Sequence, residues 1–568
     1  MSKFDTIPAV YRQERQSTSV DAIANEYYEA TLQLDPSAAT LAGRAGHETE
    51  YGDVFSPEGH EKSIELIRQT LARLEQATPA DDVDKVTIDA MQERLGLELE
   101  LHEAGLGTWE INNIASASQS IRAIFDLMNR ETPEHWAHIA GRMKNVPAAI
   151  DDYIRTLENA RERGNVAARR QVEIVIEQTD AYIAEDGFFQ KLHEEVVQHA
   201  PDLAQQAREG ADAAIAGYRT LNSYLRETLL PVAPKEDAVG IDRYRLYSRQ
   251  FLGSKINIED TYAWGVQELE RIIDEQKEVA EQIKPGASIE EAKAVLDADP
   301  ERTLHGTEEL KAWMQNLSDR AVETLAGDYF DIGGAMCELE CMIAPTQEGG
   351  IYYTGPSPDF ERPGRMWWSV PEGEETFGTW REVSTVYHEG VPGHHLQLSV
   401  ATAMSQTLNQ WRANGVWVSG HGEGWALYAE RLMQELGFLE DPGDRMGMLD
   451  NQRMRAARVV FDIGVHCGLE IPERWVKELG VPAGVWDAES GYQFLKANLD
   501  LSEGQLNFEY ARYLGWPGQA PSYKIGERIW GQLRDKARAR QEDDRDFHTR
   551  VLKLGSMGLD SLERALDL

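Results

Sequence analysis

The chain has 568 residues, 42% apolar and 27% charged, enough to bury a large core with no disulfide or structural metal. Its 97 acidic side chains against 57 basic ones leave a formal charge of −40. That field repels phosphate backbones and anionic lipid, and so argues against nucleic-acid and membrane partners. Three cysteines, Cys337, Cys341 and Cys467, are too few for a disulfide framework and read as buried small hydrophobes. Cys337 and Cys341, four apart, are expected to share a helix face.

Taken in chain order, the opening MSKFDTIPAVYRQERQ is charged early and lacks an apolar core, so no secretory signal is expected there. No run of about 18 apolar residues follows it. A soluble, cytoplasmic protein is the expectation. Ile64, Ile67, Leu71 and Leu74 step three and four apart, the period of an amphipathic helix, with Pro79 beyond its end. Similar runs cover 172–183 and 215–230. Pro231 and Pro234 then forbid a continuous helix and offer one boundary. It separates a helical region, 1–234, from a second region, 235–568, or else joins helices of one continuous domain. Tyr262, Val266, Leu269, Ile272, Ile273, Val279, Ala280 and Ile283 predict another long helix, stopped by Pro285-Gly286. Residues 349–370 change texture: GGIYYTGPSP and RMWWSV are β-branched and aromatic between Gly and Pro, and read as strands or a hairpin. The expected fold is mainly α, with a small sheet.

The chemistry begins just after that sheet, in WREVSTVYHEGVPGHHLQLSV from Trp380 to Val400. In zinc peptidases H-E-x-x-H places two imidazoles one helical turn apart, with the Glu as general base. Here the position four after His388 is Pro392, and the next histidines are His394 and His395. On a straight helix the sixth residue after His388 would be turned by about 240° and displaced by about 9 Å, out of reach of one ion. Pro392 removes a helical N–H and Gly393 frees the backbone, so a break there can absorb two residues and return an imidazole. His394 is favoured and His395 competes. Downstream, His421-Gly-Glu423-Gly-Trp-Ala-Leu-Tyr-Ala-Glu430 opens another helix. Glu423-Gly-Trp-Ala is similar to the setting in which a family of zinc peptidases takes a third ligand from a second helix.

HEGVPGHHLQ, GEGWALYAE, NQRMRAARVVFDIGVH and GWPGQAPSYKIG together resemble the bacterial domain-of-unknown-function 885 family, grouped with the gluzincin-type zinc metallopeptidases. The resemblance is specific over about 345–530. It implies a large multi-helix zincin-like fold with a deep cleft and a small sheet near the metal helix. It also implies zinc on His388, His394 and Glu423, with Glu389 as general base. Glu430 fits a supporting role behind the ligands. Tyr523 is the first choice for holding the oxyanion and His466 a weaker one. Arg453, Arg458 and Lys524 are candidates for a substrate carboxylate. Gly350–Tyr353 is a candidate edge for the substrate backbone.

No G-x-S-x-G elbow, phosphate loop or cysteine in a nucleophile setting competes. The expected activity is hydrolysis of amide bonds in short peptides by a metal-activated water. A hydrolase of a non-peptide or modified amide, and a non-catalytic metal- or peptide-binding module, are the alternatives.

Overall fold

The computed structural model describes residues 6–345 and 350–567. Met1–Asp5 of the opening segment and Gly349 of the expected strand lie outside the described residues. Helices dominate the described chain, and each expected run is found. Pro57–Gln76 starts on Ser56, whose side chain accepts from the Gly59 N–H, with Pro57 at the first helical position. Its Ile64, Ile67 and Leu74 are buried, each contributing roughly 1.5–3 kcal/mol. Arg169–Ile183 and Ala204–Tyr224 also follow their apolar period. The second gives way to a wide turn at Leu225–Leu229 and a tight one at Leu230–Val232, and helix resumes at Ile241. Ile258–Ile283 packs along Pro442–Cys467. The two come close at Gly265, where a Cβ would lie 2.6 Å from Val459 Cγ1.

Two apolar cores result. The larger takes side chains from Tyr11 to Leu95 and from Tyr244 to Leu566. The smaller is built mainly from Leu97 to Ala233, with Tyr51 and Tyr247. No described helix is long and apolar enough to cross a membrane.

Five strands among the described residues position the chemistry. β1 (Thr303–His305) pairs antiparallel with β5 (Thr376–Gly378). β2 (Leu339–Ile343), β3 (Gly350–Thr354) and β4 (Gly364–Ser369) form a second sheet in the order β2-β4-β3. β4 runs parallel to β2 and antiparallel to β3, so β3 is an edge strand. β5 feeds directly into the helix Thr379–Glu389, which carries the His-Glu pair.

The cysteine expectation is corrected here. Cys337 closes a tight turn at Gly334–Cys337, while Cys341 lies on β2 and meets Ser318 Oγ at 3.6 Å. Spacing of four also fits the two-residue period of a strand, and pairing with β4 decides for strand. Only Cys341 is fully buried, and no disulfide joins the three.

Candidate metal centre

The helix Thr379–Glu389 ends at the His-Glu pair, and a new one, His394–Ala403, starts at once. Between them the Gly390 N–H still bonds Val386 O at 2.8 Å, and the Gly393 N–H bonds Tyr387 O at 3.1 Å. The chain folds back so tightly that a Cβ on Gly393 would sit 1.9 Å from the His388 carbonyl oxygen, which leaves room only for glycine. Trp425 clamps the break by donating its indole N–H to Pro392 O at 2.9 Å. The break brings His394 beside His388, with ring centroids 4.9 Å apart and planes at 86°.

Glu423 reaches the same point from Ser419–Glu435. Its Oε2 lies 3.3 Å from His388 Nε2 and 3.5 Å from His394 Nε2. Donor atoms of the three residues lie within 4.8 Å of one another, the one such group among the described residues. His395 turns away: its Nε2 meets Met336 O at 2.9 Å and its Nδ1 meets the Tyr353 hydroxyl at 2.8 Å. Glu430, two turns beyond Glu423, holds His388 Nδ1 at 2.8 Å. A carboxylate only accepts, so Nδ1 donates to it and Nε2 is the atom left facing Glu423.

Burial by itself would depress His388, but the carboxylates of Glu423 and Glu430 outweigh it and push its pKa up to about 10. Burial would raise Glu423, yet the two imidazoles hold it well below the usual carboxylate range. Glu389 is shifted upward by burial, with His394 and His388 opposing. The electrostatics are those of a site wanting positive charge at the point where the three donors meet.

The donors open onto a cavity of about 550 Å³. β3 forms one wall, with Glu382 and Glu389 from the His-Glu helix. Tyr523 lines it, and burial, then Glu423, raises its hydroxyl to about 12, so it stays protonated. A larger cavity, about 840 Å³, lies among the N-terminal helices beside His60 and His102, without a converging donor set.

His466 is not brought to the site. It is fully buried, its Nε2–H donates to Tyr513 O at 2.9 Å, and its ring stacks on Tyr244. Burial lowers it to about 4, the state of a neutral core histidine, so the expected catalytic role is corrected. Arg453 bonds Asn498 and Ala497 O away from the cavity. Lys524 is buried between Glu268 at 3.0 Å and Glu527 at 2.6 Å. Arg458 does line the cavity, but it is tied to the Tyr513 hydroxyl at 2.6 Å and Glu509 at 3.1 Å.

Trp417 and Arg455 are among the lining residues that escaped the sequence reading. Trp417 lies 6.2 Å from the His394 ring, half exposed, over Gly422, where a Cβ would meet the indole at 2.2 Å. Arg455 lines the cavity from Pro442–Cys467. Helical spacing could have found it: Asn451, Arg455 and Arg458 share a face, whereas Arg453 lies about 200° round from Arg455.

A family model described as "Bacterial protein of unknown function (DUF885)" matches residues 36–566. The chain belongs to this family. Among solved structures, this DUF885 protein is similar to the "putative lipoprotein" from Colwellia psychrerythraea, at 19% identity and TM-score 0.80. That match covers 96% of this chain and 98% of the other. It is also similar to a "putative lipoprotein of unknown function" from Shewanella oneidensis, at 15% identity and TM-score 0.72, with 97% and 100% covered. At these identities the likeness shows a shared fold. No curated protein matches the sequence.

Proposed function

We propose that this DUF885 protein is a gluzincin-type zinc peptidase, with a zincin-like arrangement of helices around a substrate cleft, acting on short peptides. The observation that carries the reading is the convergence of His388, His394 and Glu423 beside Glu389. Two imidazoles and one carboxylate are a donor set that catalytic zinc takes, with one position left open. The fit is supported by His388: its Nδ1–H is committed to Glu430, so a lone pair faces a carboxylate at 3.3 Å unless a proton or a cation intervenes. A zinc ion there would supply Lewis acidity to the scissile carbonyl and to water.

The chain's own residues do the rest. Among the described residues β3 is the outer strand of its sheet and lines the cavity, so a substrate backbone can add along it as a further strand. Glu389 accepts the proton of the attacking water and passes it to the leaving amine. Tyr523 donates a hydrogen bond from its hydroxyl to the developing oxyanion and keeps its proton.

Two outcomes follow for metal binding. Glu430→Gln weakens zinc affinity by about 10-fold to 100-fold, because the carboxylate that orients His388 is lost. Competition with a chromophoric chelator reads this, and unchanged affinity contradicts the supporting role. In the metal-free protein His388 keeps both ring protons up to about pH 10. The raised pKa adds stability that is complete below the unfolded value of ~6.5 and is lost as pH rises through about 10. Zinc binding at pH 8 therefore releases about one proton from this ring. Calorimetry in two buffers of different ionisation enthalpy measures it; zero release contradicts the assignment.

The reading is tested by stripping the protein with a chelator and returning zinc in steps over a mixture of short peptides. New amino groups should appear in proportion to zinc, up to one equivalent. A protein holding one equivalent and releasing none would overturn it.

A further inference from the structure

Arg455 lines the cavity without a contact ion pair to any carboxylate of a described residue. The chain carries forty more acids than bases, yet no carboxylate of a described residue lies within 4.0 Å of this guanidinium. Its Nη1 bonds only Asn451 on its own helix, at 2.9 Å to the side-chain oxygen and 3.3 Å to the backbone carbonyl. Its Nε is buried with no partner. Arg458, one turn along, shows what a structural arginine looks like here, with Glu509 and Tyr513 satisfying it.

Placement indicates what this guanidinium meets. Arg455 lines the same cavity as Glu382 and Glu389 of the facing helix, and its charge opposes the upward shift of both carboxylates. Those two are seven residues apart, about 10.5 Å along the axis. The guanidinium therefore lies alongside the stretch that leads away from the general base. A substrate extended at about 3.3–3.6 Å per residue covers that distance in a few residues. An always-charged guanidinium in a partly desolvated wall matches a carboxylate through the donors its own helix leaves unused.

We propose that Arg455 anchors the free C-terminal carboxylate of the substrate, one or two residues beyond the bond that is cut. The inference rests on the peptidase reading and names its substrate class: short peptides with an unblocked C-terminus, trimmed from that end.

The test uses the zinc-loaded full chain and matched peptides ending in a free acid or an amide, with wild type, Arg455→Gln and Arg455→Lys. The wild type should favour the acid in kcat/KM by on the order of 10-fold to 100-fold, releasing one or two residues. In Arg455→Gln that ratio falls toward one, and Arg455→Lys keeps part of it. Equal cleavage of acid and amide by the wild type, or an unchanged ratio in a folded Arg455→Gln, overturns the inference. If zinc-loaded wild type cleaves neither peptide, the peptidase reading fails, and calorimetric binding of an N-acetyl dipeptide acid and its amide decides the anchor separately. Tighter binding of the acid, lost in Arg455→Gln, upholds it; equal binding overturns it.

Discussion

Glu389→Gln is expected to hold one equivalent of zinc and to lose turnover by about 100-fold to 10,000-fold. The carboxyl stands next to His388 at the last turn of its helix, buried, outside the group of converging donors and on the wall of the cavity. Glutamine fills the same volume, so packing and ligands survive, but an amide cannot take a proton from water. Burial raises the Glu389 pKa, which makes its carboxylate a better base than an exposed one. Metal analysis beside a peptide-hydrolysis assay separates the two effects. Turnover retained in a zinc-loaded variant would remove Glu389 from the chemistry. Zinc lost together with turnover would instead make it part of the ligand set.

The second large effect separates two adjacent histidines. His394→Ala deletes one of three converging donors and is expected to leave the desalted protein without stoichiometric zinc. His395→Ala keeps the zinc. His395 is neutral at ordinary pH, since burial pushes it down to about 4, and it joins the Tyr353 hydroxyl on β3 to Met336 O. Removing it strands two buried polar groups and costs about 1–3 kcal/mol each, visible as a lower melting temperature. Equal zinc retention in the two variants would contradict the assignment.

Much of this was legible in the sequence for identifiable reasons. The long helices announce themselves because a 3.6-residue period over five or more turns has no other use, as in Ile258–Ile283. The choice of His394 followed from Pro392 and Gly393, which must break a helix and allow close backbone approach; the structure places that break where the two residues stand. β2 was not legible, because Leu339–Ile343 is a short run whose apolar spacing fits either a helix or a strand, and only β4 settles it. Helical spacing sets Arg453 apart from Arg455, but Arg458 and Lys524 are indistinguishable from Arg455 as residues in a string. What separates them is which acids and carbonyls other helices bring within reach, a property of packing. His466 failed for the same reason: the Tyr513 carbonyl that satisfies it comes from another helix.

On this reading these residues hydrolyse peptides. The most direct test is a mass-spectrometric digest of a diverse short-peptide library by wild type and Glu389→Gln, each holding one zinc. Cleavage by the wild type alone is expected, with products shortened from the C-terminal end. An intact library after incubation with the zinc-loaded wild type, or the same fragments from both proteins, would contradict it.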